Sequence, residues 1–127
     1  MKKLDAAALR LACMNDDSSP RRCNCTCAVG ACTDWESLTE ARWPAAQMHA
    51  LGTLRDVDAY EPTLDEHHPC GTRYDSPDAP IAPAFFPYNR CDVHRCSRCA
   101  RVLLRYTEFG GYYVDHRVRE VNPALIV

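Results

Sequence analysis

The stretch RVLLRYTEFGGYYVDHRVR, residues 101–119, decides the fold of this chain. β-Branched and aromatic residues fill both halves of the stretch, and Gly110-Gly111 separates them. Two such runs joined by a short glycine turn are typical of a β-hairpin. A two-residue turn at these glycines predicts that Phe109 pairs with Tyr112 and that this register continues along both strands.

Four potential metal ligands lie immediately before the hairpin. Cys91, His94, Cys96 and Cys99 follow the pattern C-x2-H-x-C-x2-C. Thiolates and imidazoles are the ligands that Zn²⁺ prefers, and four of them fill a tetrahedral structural site. The pattern predicts a local zinc site made by these four residues. The alternative is that some of them share a site with cysteines further upstream.

The segment Cys96-Ser97-Arg98-Cys99, followed directly by a strand and a hairpin, resembles the zinc knuckle of zinc-ribbon and treble-clef proteins. The resemblance extends from Cys91 to Arg119. It implies a zinc ion with a structural role and a chain that leaves the metal site as a β-strand. It says little about function, because such knuckles serve many purposes.

A second cysteine cluster consists of Cys23, Cys25, Cys27 and Cys32. In an extended backbone the first three would point to the same side. The cluster predicts a second zinc site, or a thiolate-rich Cu(I) site, so that one or two zinc ions are expected in all. The chain has nine cysteines, and an odd number excludes a fully disulfide-paired monomer. Reduced thiols favour a cytoplasmic protein.

The 127 residues predict a single domain of the α+β class. Residues 1–52 form a helical part with the first cysteine cluster, and residues 53–90 form an acidic, proline-rich segment that wraps the core in an extended form. Residues 91–127 form the zinc-knuckle hairpin. Apolar spacing, a capping-box pattern and a helix-start proline predict helices over 4–14, 34–42 and 44–51. No segment has the length of a membrane span or the apolar run of an export signal.

The charges are unevenly distributed, although the net charge is only −2. Residues 34–89 carry three basic and ten acidic side chains, whereas residues 90–127 carry seven arginines and four acids. An acidic, aromatic-bearing segment suits a protein partner with a basic surface. The expected contact residues are Asp56, Asp58, Glu61, Asp65, Glu66, Phe85, Phe86 and Tyr88.

A non-enzymatic, zinc-stabilised protein-interaction module is therefore the first functional hypothesis, for example a bacterial or phage adaptor, inhibitor or immunity-type factor. The predicted zinc coordination is complete, and no complete catalytic set is evident. The third hypothesis, after the hydrolase described next, is a Zn²⁺ or Cu(I) handling protein that uses the upstream cysteine cluster.

A metal-dependent hydrolase or nuclease is the second hypothesis, because Asp115-His116 resembles the start of the HNH nuclease motif. The later Asn and His of that motif are missing. Neighbouring residues on a strand also face opposite sides, so both could not reach one metal without a bulge.

Nucleic-acid binding is the fourth hypothesis, and the negative net charge speaks against it. Its interface would use Arg90, Arg95, Arg98, Arg101 and Arg105 with Tyr106 and Tyr112 as stacking partners.

Overall fold

The computed structural model describes residues 2–14, 32, 34–56, 62–73, 76–97, 101–109 and 112–127. Its helix is α1 (Ala6–Met14), and its strands are β1 (Glu36–Ser37), β2 (Met48–Thr53), β3 (Asp92–Cys96), β4 (Val102–Phe109) and β5 (Val114–Glu120). The described part of the protein is therefore a mixed fold, with one α-helix and a five-stranded sheet. It contains no helix with both the length and the hydropathy required to cross a bilayer.

The sheet is antiparallel throughout, with the strand order β1-β5-β4-β3-β2. The predicted hairpin is confirmed as β4–β5, but its register differs from the prediction. Phe109 pairs with Val114, not with Tyr112, so residues 110–113 connect the strands. A shift of two residues leaves every side chain on its original face, because side chains alternate with a period of two. The apolar pattern therefore could not distinguish the two registers.

Both faces of the sheet are covered, which explains why Val102, Leu103 and Leu104 are all buried. Leu104 belongs to the larger cluster, which includes Leu9 of α1, and we call its side of the sheet the first face. Leu103 belongs to a smaller cluster with Trp43, on the second face. Successive residues of a strand face opposite sides, so a continuous apolar run is what a doubly covered strand requires.

The predicted N-terminal helix is confirmed as α1, and the Asp5 carboxylate caps it by accepting a hydrogen bond from the Ala8 amide at 2.8 Å. The helices predicted over 34–42 and 44–51 are wrong. The first region holds the short strand β1 and a turn, and the second holds a 3-10 turn (Ala45–Gln47) followed by β2.

Tertiary packing explains both errors. Leu38 and Trp43 are buried against the second face, and β2 pairs with β3 along the edge of the sheet. The Glu36 carboxylate, expected to cap a helix, instead accepts a hydrogen bond from the Cys32 amide at 2.7 Å. Local helix signals are weak compared with this burial.

The proline-rich segment contacts the core in its described parts. Ile81 is fully buried and forms an isolated parallel bridge with Ile126 near the C-terminus. Leu54 and Pro87 are also buried. Within residues 62–73 and 76–91, the regular structure consists of that bridge and a 3-10 turn over Tyr88–Arg90. The segment therefore lines the first face of the sheet in a mainly irregular form.

Candidate functional site

The predicted zinc site at Cys91–Cys99 is wrong in the part of the chain that the structure describes. Cys91 belongs to the core cluster of the first face, and its thiol donates a hydrogen bond to the Pro87 carbonyl at 3.3 Å. His94 lies on the second face, edge-on to the Trp43 ring with 5.2 Å between centroids. Strand alternation places Cys96 on the side of His94, opposite to Cys91. Cys99 lies outside the described residues.

No three His, Cys, Asp or Glu side chains form a possible metal-binding group anywhere in residues 2–14, 32, 34–56, 62–73, 76–97, 101–109 and 112–127. The resemblance to a zinc knuckle is therefore also wrong. Cys96 ends a strand of the antiparallel sheet, and its amide donates to the Arg101 carbonyl at 3.0 Å, closing the connection between β3 and β4. A backbone hydrogen bond of the sheet therefore joins the end of β3 to the start of β4, where a zinc ion was expected to bind.

The upstream cluster provides only one described cysteine. Cys23, Cys25 and Cys27 lie outside the described residues, and Cys32 is fully buried with Trp43 on the second face. Burial, together with the neighbouring Glu36 carboxylate, raises the pKa of the Cys32 thiol to about 12. This thiol is therefore protonated at neutral pH and acts as a core side chain.

Asp115 and His116 point to opposite sides of β5, as the sequence predicted. Asp115 accepts a hydrogen bond from the Ser37 hydroxyl at 2.8 Å. The His116 ring bridges Thr107 and Glu40, with Nδ1 at 3.0 Å from the Thr107 hydroxyl and Nε2 at 3.2 Å from the Glu40 carboxylate. The two residues connect neighbouring elements on separate faces and share no site.

The residues expected to contact a partner are in different environments. Asp56, Asp65 and Glu66 are exposed, Phe85 and Phe86 are half-buried, and Asp58 and Glu61 lie outside the described residues. Tyr88 is buried, with 2% of its surface exposed, and its hydroxyl accepts a hydrogen bond from Arg119. Tyr88 is therefore a core residue and is not available to a partner.

The basic residues of the nucleic-acid hypothesis do not share one surface. Arg101 is buried and lies 3.5 Å from the Glu120 carboxylate. Arg95 donates to the Ala12 carbonyl of α1. Tyr106, an expected stacking residue, is buried among the core aromatics, 5.0 Å from Trp35 between ring centroids. Arg98 lies outside the described residues.

The end of the β4–β5 hairpin exposes a group of large apolar side chains that the sequence analysis did not assign to a site. We call this group, Phe109, Tyr112, Tyr113 and Val114, the aromatic tip. Phe109 is 77% exposed and pairs across the strands with Val114. The two tyrosines beside the glycines could have indicated an exposed group at the end of the hairpin. The predicted register instead paired Tyr112 with Phe109 within the strands.

A polar cleft of about 600 Å³ lies beside the tip, where β3 begins and β4 continues past it. Its lining includes three guanidinium groups, from Arg55, Arg90 and Arg105, together with Asn89 and Phe109. Cavities of this volume commonly hold small-molecule ligands. The cleft and the aromatic tip are therefore the two candidate sites that we consider among the described residues.

Comparison with known proteins finds no matching protein family, no matching curated protein and no matching solved structure. The chemistry of these two sites is therefore the basis for a functional proposal.

Proposed function

We propose that this protein is a non-enzymatic protein-interaction module, of the adaptor, inhibitor or immunity type, which binds its partner through the aromatic tip. The observation that supports the proposal is the exposure of four neighbouring large apolar side chains at the end of one hairpin. Single exposed apolar residues are common, whereas a contiguous exposed group marks an interaction surface.

The chemistry of the tip suits an interface hot spot. Tyrosine and phenylalanine carry large apolar surfaces on side chains with few rotatable bonds, so fixing them in an interface costs little entropy. The Tyr113 hydroxyl also lies 3.4 Å from the Glu108 carboxylate, within the same hairpin. A few such residues commonly provide most of the binding free energy of an interface.

The border of the tip is acidic around Arg117, whereas the arginine-lined cleft adjoins the tip at Phe109. Arg117 lies between two carboxylates, with its Nε 2.9 Å from Glu108 and 3.3 Å from Asp115. These three side chains leave one excess negative charge beside the apolar group. We therefore propose a partner that has an apolar pocket with basic residues at its edge, in accord with the basic partner expected from the acidic middle of the chain.

Substitution of the tip tests this function. Tyr112→Ser removes an aromatic ring without touching the core, and Leu64→Ser is the matched control, because Leu64 is 68% exposed at another place. Wild-type and variant proteins are used to capture partners, and the captured protein is then purified and titrated calorimetrically. We expect Tyr112→Ser to weaken binding by about tenfold or more, the equivalent of about 1.4 kcal/mol.

Leu64→Ser should bind as the wild type does. Equal affinity of both variants and the wild type would show that the partner uses another surface. Turnover of a substrate that survives loss of partner binding would argue against a non-enzymatic module.

A further inference from the structure

We propose that the polar cleft binds a small organic anion, a carboxylate or a phosphate monoester that also carries a hydroxyl or amine group. This site shares Phe109 with the aromatic tip and is otherwise separate from it. It would hold even if the tip had no partner, since Tyr112 does not line the cleft.

The three guanidinium groups of the cleft are held in place before any ligand arrives. Arg55 Nε lies 3.0 Å from Asp92, and Arg105 lies 2.7 Å from Glu40. The guanidinium carbon of Arg105 also sits 4.6 Å from the centroid of the Trp43 ring. Side chains fixed in this way lose little further entropy on binding, which favours affinity for a ligand of matching shape.

Unlike Arg55 and Arg105, Arg90 forms no ion pair with a carboxylate among the described residues. Its terminal nitrogen donates to the Pro62 carbonyl at 3.3 Å, and its guanidinium carbon lies 5.4 Å from the centroid of the Phe86 ring. Both contacts orient the guanidinium, and neither neutralises its charge. A planar guanidinium that is oriented but not neutralised suits two-point recognition of a carboxylate or a phosphate.

Buried polar atoms that lack partners support a ligand at this place. Among the described residues, the Nε donors of Arg90 and Arg105 and the Oδ1 acceptor of Asn89 are shielded from solvent and make no hydrogen bond. Asn89 is only 8% exposed, and its amide nitrogen is already used on the Thr63 carbonyl. Arginines outside the cleft, such as Arg95, have an Nε in the same state, so the specific signal is the Asn89 acceptor. This acceptor suits a hydroxyl or amine on the ligand.

The charges facing the cleft permit an anion there. Arg55 is paired with Asp92 and Arg105 is paired with Glu40, so Arg90 provides the positive charge that an anion in the cleft would meet. His94 also lines the cleft, and burial lowers the pKa of its imidazole, so it is neutral at neutral pH. The apolar part of a ligand would contact Phe109 and Pro62, which lie on the same lining.

Titration with 4-hydroxybenzoate and with 4-hydroxyphenyl phosphate tests the site, using the uncharged 4-hydroxybenzamide as the matched probe. Binding is measured on the full chain by calorimetry and by amide chemical-shift changes. We expect saturable binding of at least one anion, at least about tenfold tighter than binding of the amide. The tighter of the two anions identifies the class of ligand.

Arg90→Gln should weaken anion binding by about tenfold or more, and Arg90→Lys should weaken it less, because the charge is kept and the two-point geometry is lost. Arg73→Gln, whose side chain does not line the cleft, should bind as the wild type does. Arg55→Gln is the second test variant if Arg90→Gln does not fold, because the Arg55 side chain is 55% exposed.

Three results would overturn the proposal: no saturable binding of either anion, equal affinity for the acid and the amide, or equal affinity of the wild type and the cleft variant. Tyr112→Ser should keep its anion affinity. Arg90→Gln thus tests anion binding in the cleft, and Tyr112→Ser tests partner binding at the aromatic tip, so one proposal can be rejected without the other.

Discussion

Arg119 is the buried contact that joins the sheet to the proline-rich segment, and its replacement is the most direct test of how this fold is held together. The residue lies on β5 and is 1% exposed. Its guanidinium donates to the Tyr88 hydroxyl and to the carbonyls of Pro77 and Ala79, the latter two at 3.1 Å each. No carboxylate of the described residues pairs with it.

Arg119→Met keeps most of the volume and removes all three hydrogen bonds. A buried acceptor that loses its donor costs at least about 1 kcal/mol, so the two buried acceptors, the Tyr88 hydroxyl and the Ala79 carbonyl, predict a loss of about 2 kcal/mol in the free energy of unfolding. The Pro77 residue is exposed, so its carbonyl can bind water instead and adds little. The opposing effect is that methionine removes the desolvation cost of a buried charge, and we expect the lost hydrogen bonds to outweigh this gain.

Urea unfolding followed by tryptophan fluorescence measures the change, since the Trp35 ring packs 5.7 Å from Tyr88 between centroids. Arg119→Lys keeps the charge but cannot reach three acceptors, and we expect about half the loss. Arg117→Met on the same strand is the control. Its partners are partly exposed carboxylates, so its effect should be below about 1 kcal/mol. Equal stability of Arg119→Met and wild type would refute the reasoning, since it would mean that desolvation of the guanidinium dominates.

Three further predictions concern single positions. Gly52→Ala should destabilise the protein by about 1–3 kcal/mol in urea unfolding, because the new Cβ would lie 2.5 Å from the Lys2 carbonyl oxygen; no change would show that the N-terminal segment shifts freely. Burial lowers the pKa of His94 below its ordinary value of 6.5, so the unfolded chain binds the proton more readily than the folded protein does. The free energy of unfolding should therefore fall as the pH drops below about 6.5. His94→Asn should abolish this part of the pH dependence, and an unchanged dependence of stability on pH would contradict the assignment. Iodoacetamide should label the exposed Cys70 in the native protein and Cys91 only after unfolding, because Cys91 is buried and burial raises the pKa of its thiol. Peptide mapping identifies the labelled residues. Rapid labelling of Cys91 in the native protein would contradict its place in the core.

Elements with strong local patterns could be predicted from the sequence. The β4–β5 hairpin follows from two β-rich runs around Gly110-Gly111, and α1 follows from its apolar spacing. The absence of an α-helix from the described parts of the proline-rich segment follows from the fixed φ and missing amide of each proline. These features depend on neighbours in the chain, so no long-range contact was needed to infer them.

The register of the hairpin and the strand character of β2 could not be predicted in this way. A two-residue slip preserves the apolar pattern of β4, so only the length of the connection decides that Phe109 meets Val114. The region around Met48 has helix-favouring residues, yet it pairs with β3 because this covers the sheet edge.

The sequence by itself determined the helix, the hairpin strands and the irregular proline-rich segment, since each follows from local propensity. Only the tertiary structure decided which reactive side chains lie close enough together to form a site. The spacing of Cys91 and His94 suggested one metal site, but a β-strand turns them to opposite faces, one into the core and one against Trp43. The polar cleft also appears only when distant segments meet, whereas the aromatic tip depends on the register of one hairpin. Spacing along a chain predicts a site only when the backbone brings those side chains to the same side, and here the sheet separates them.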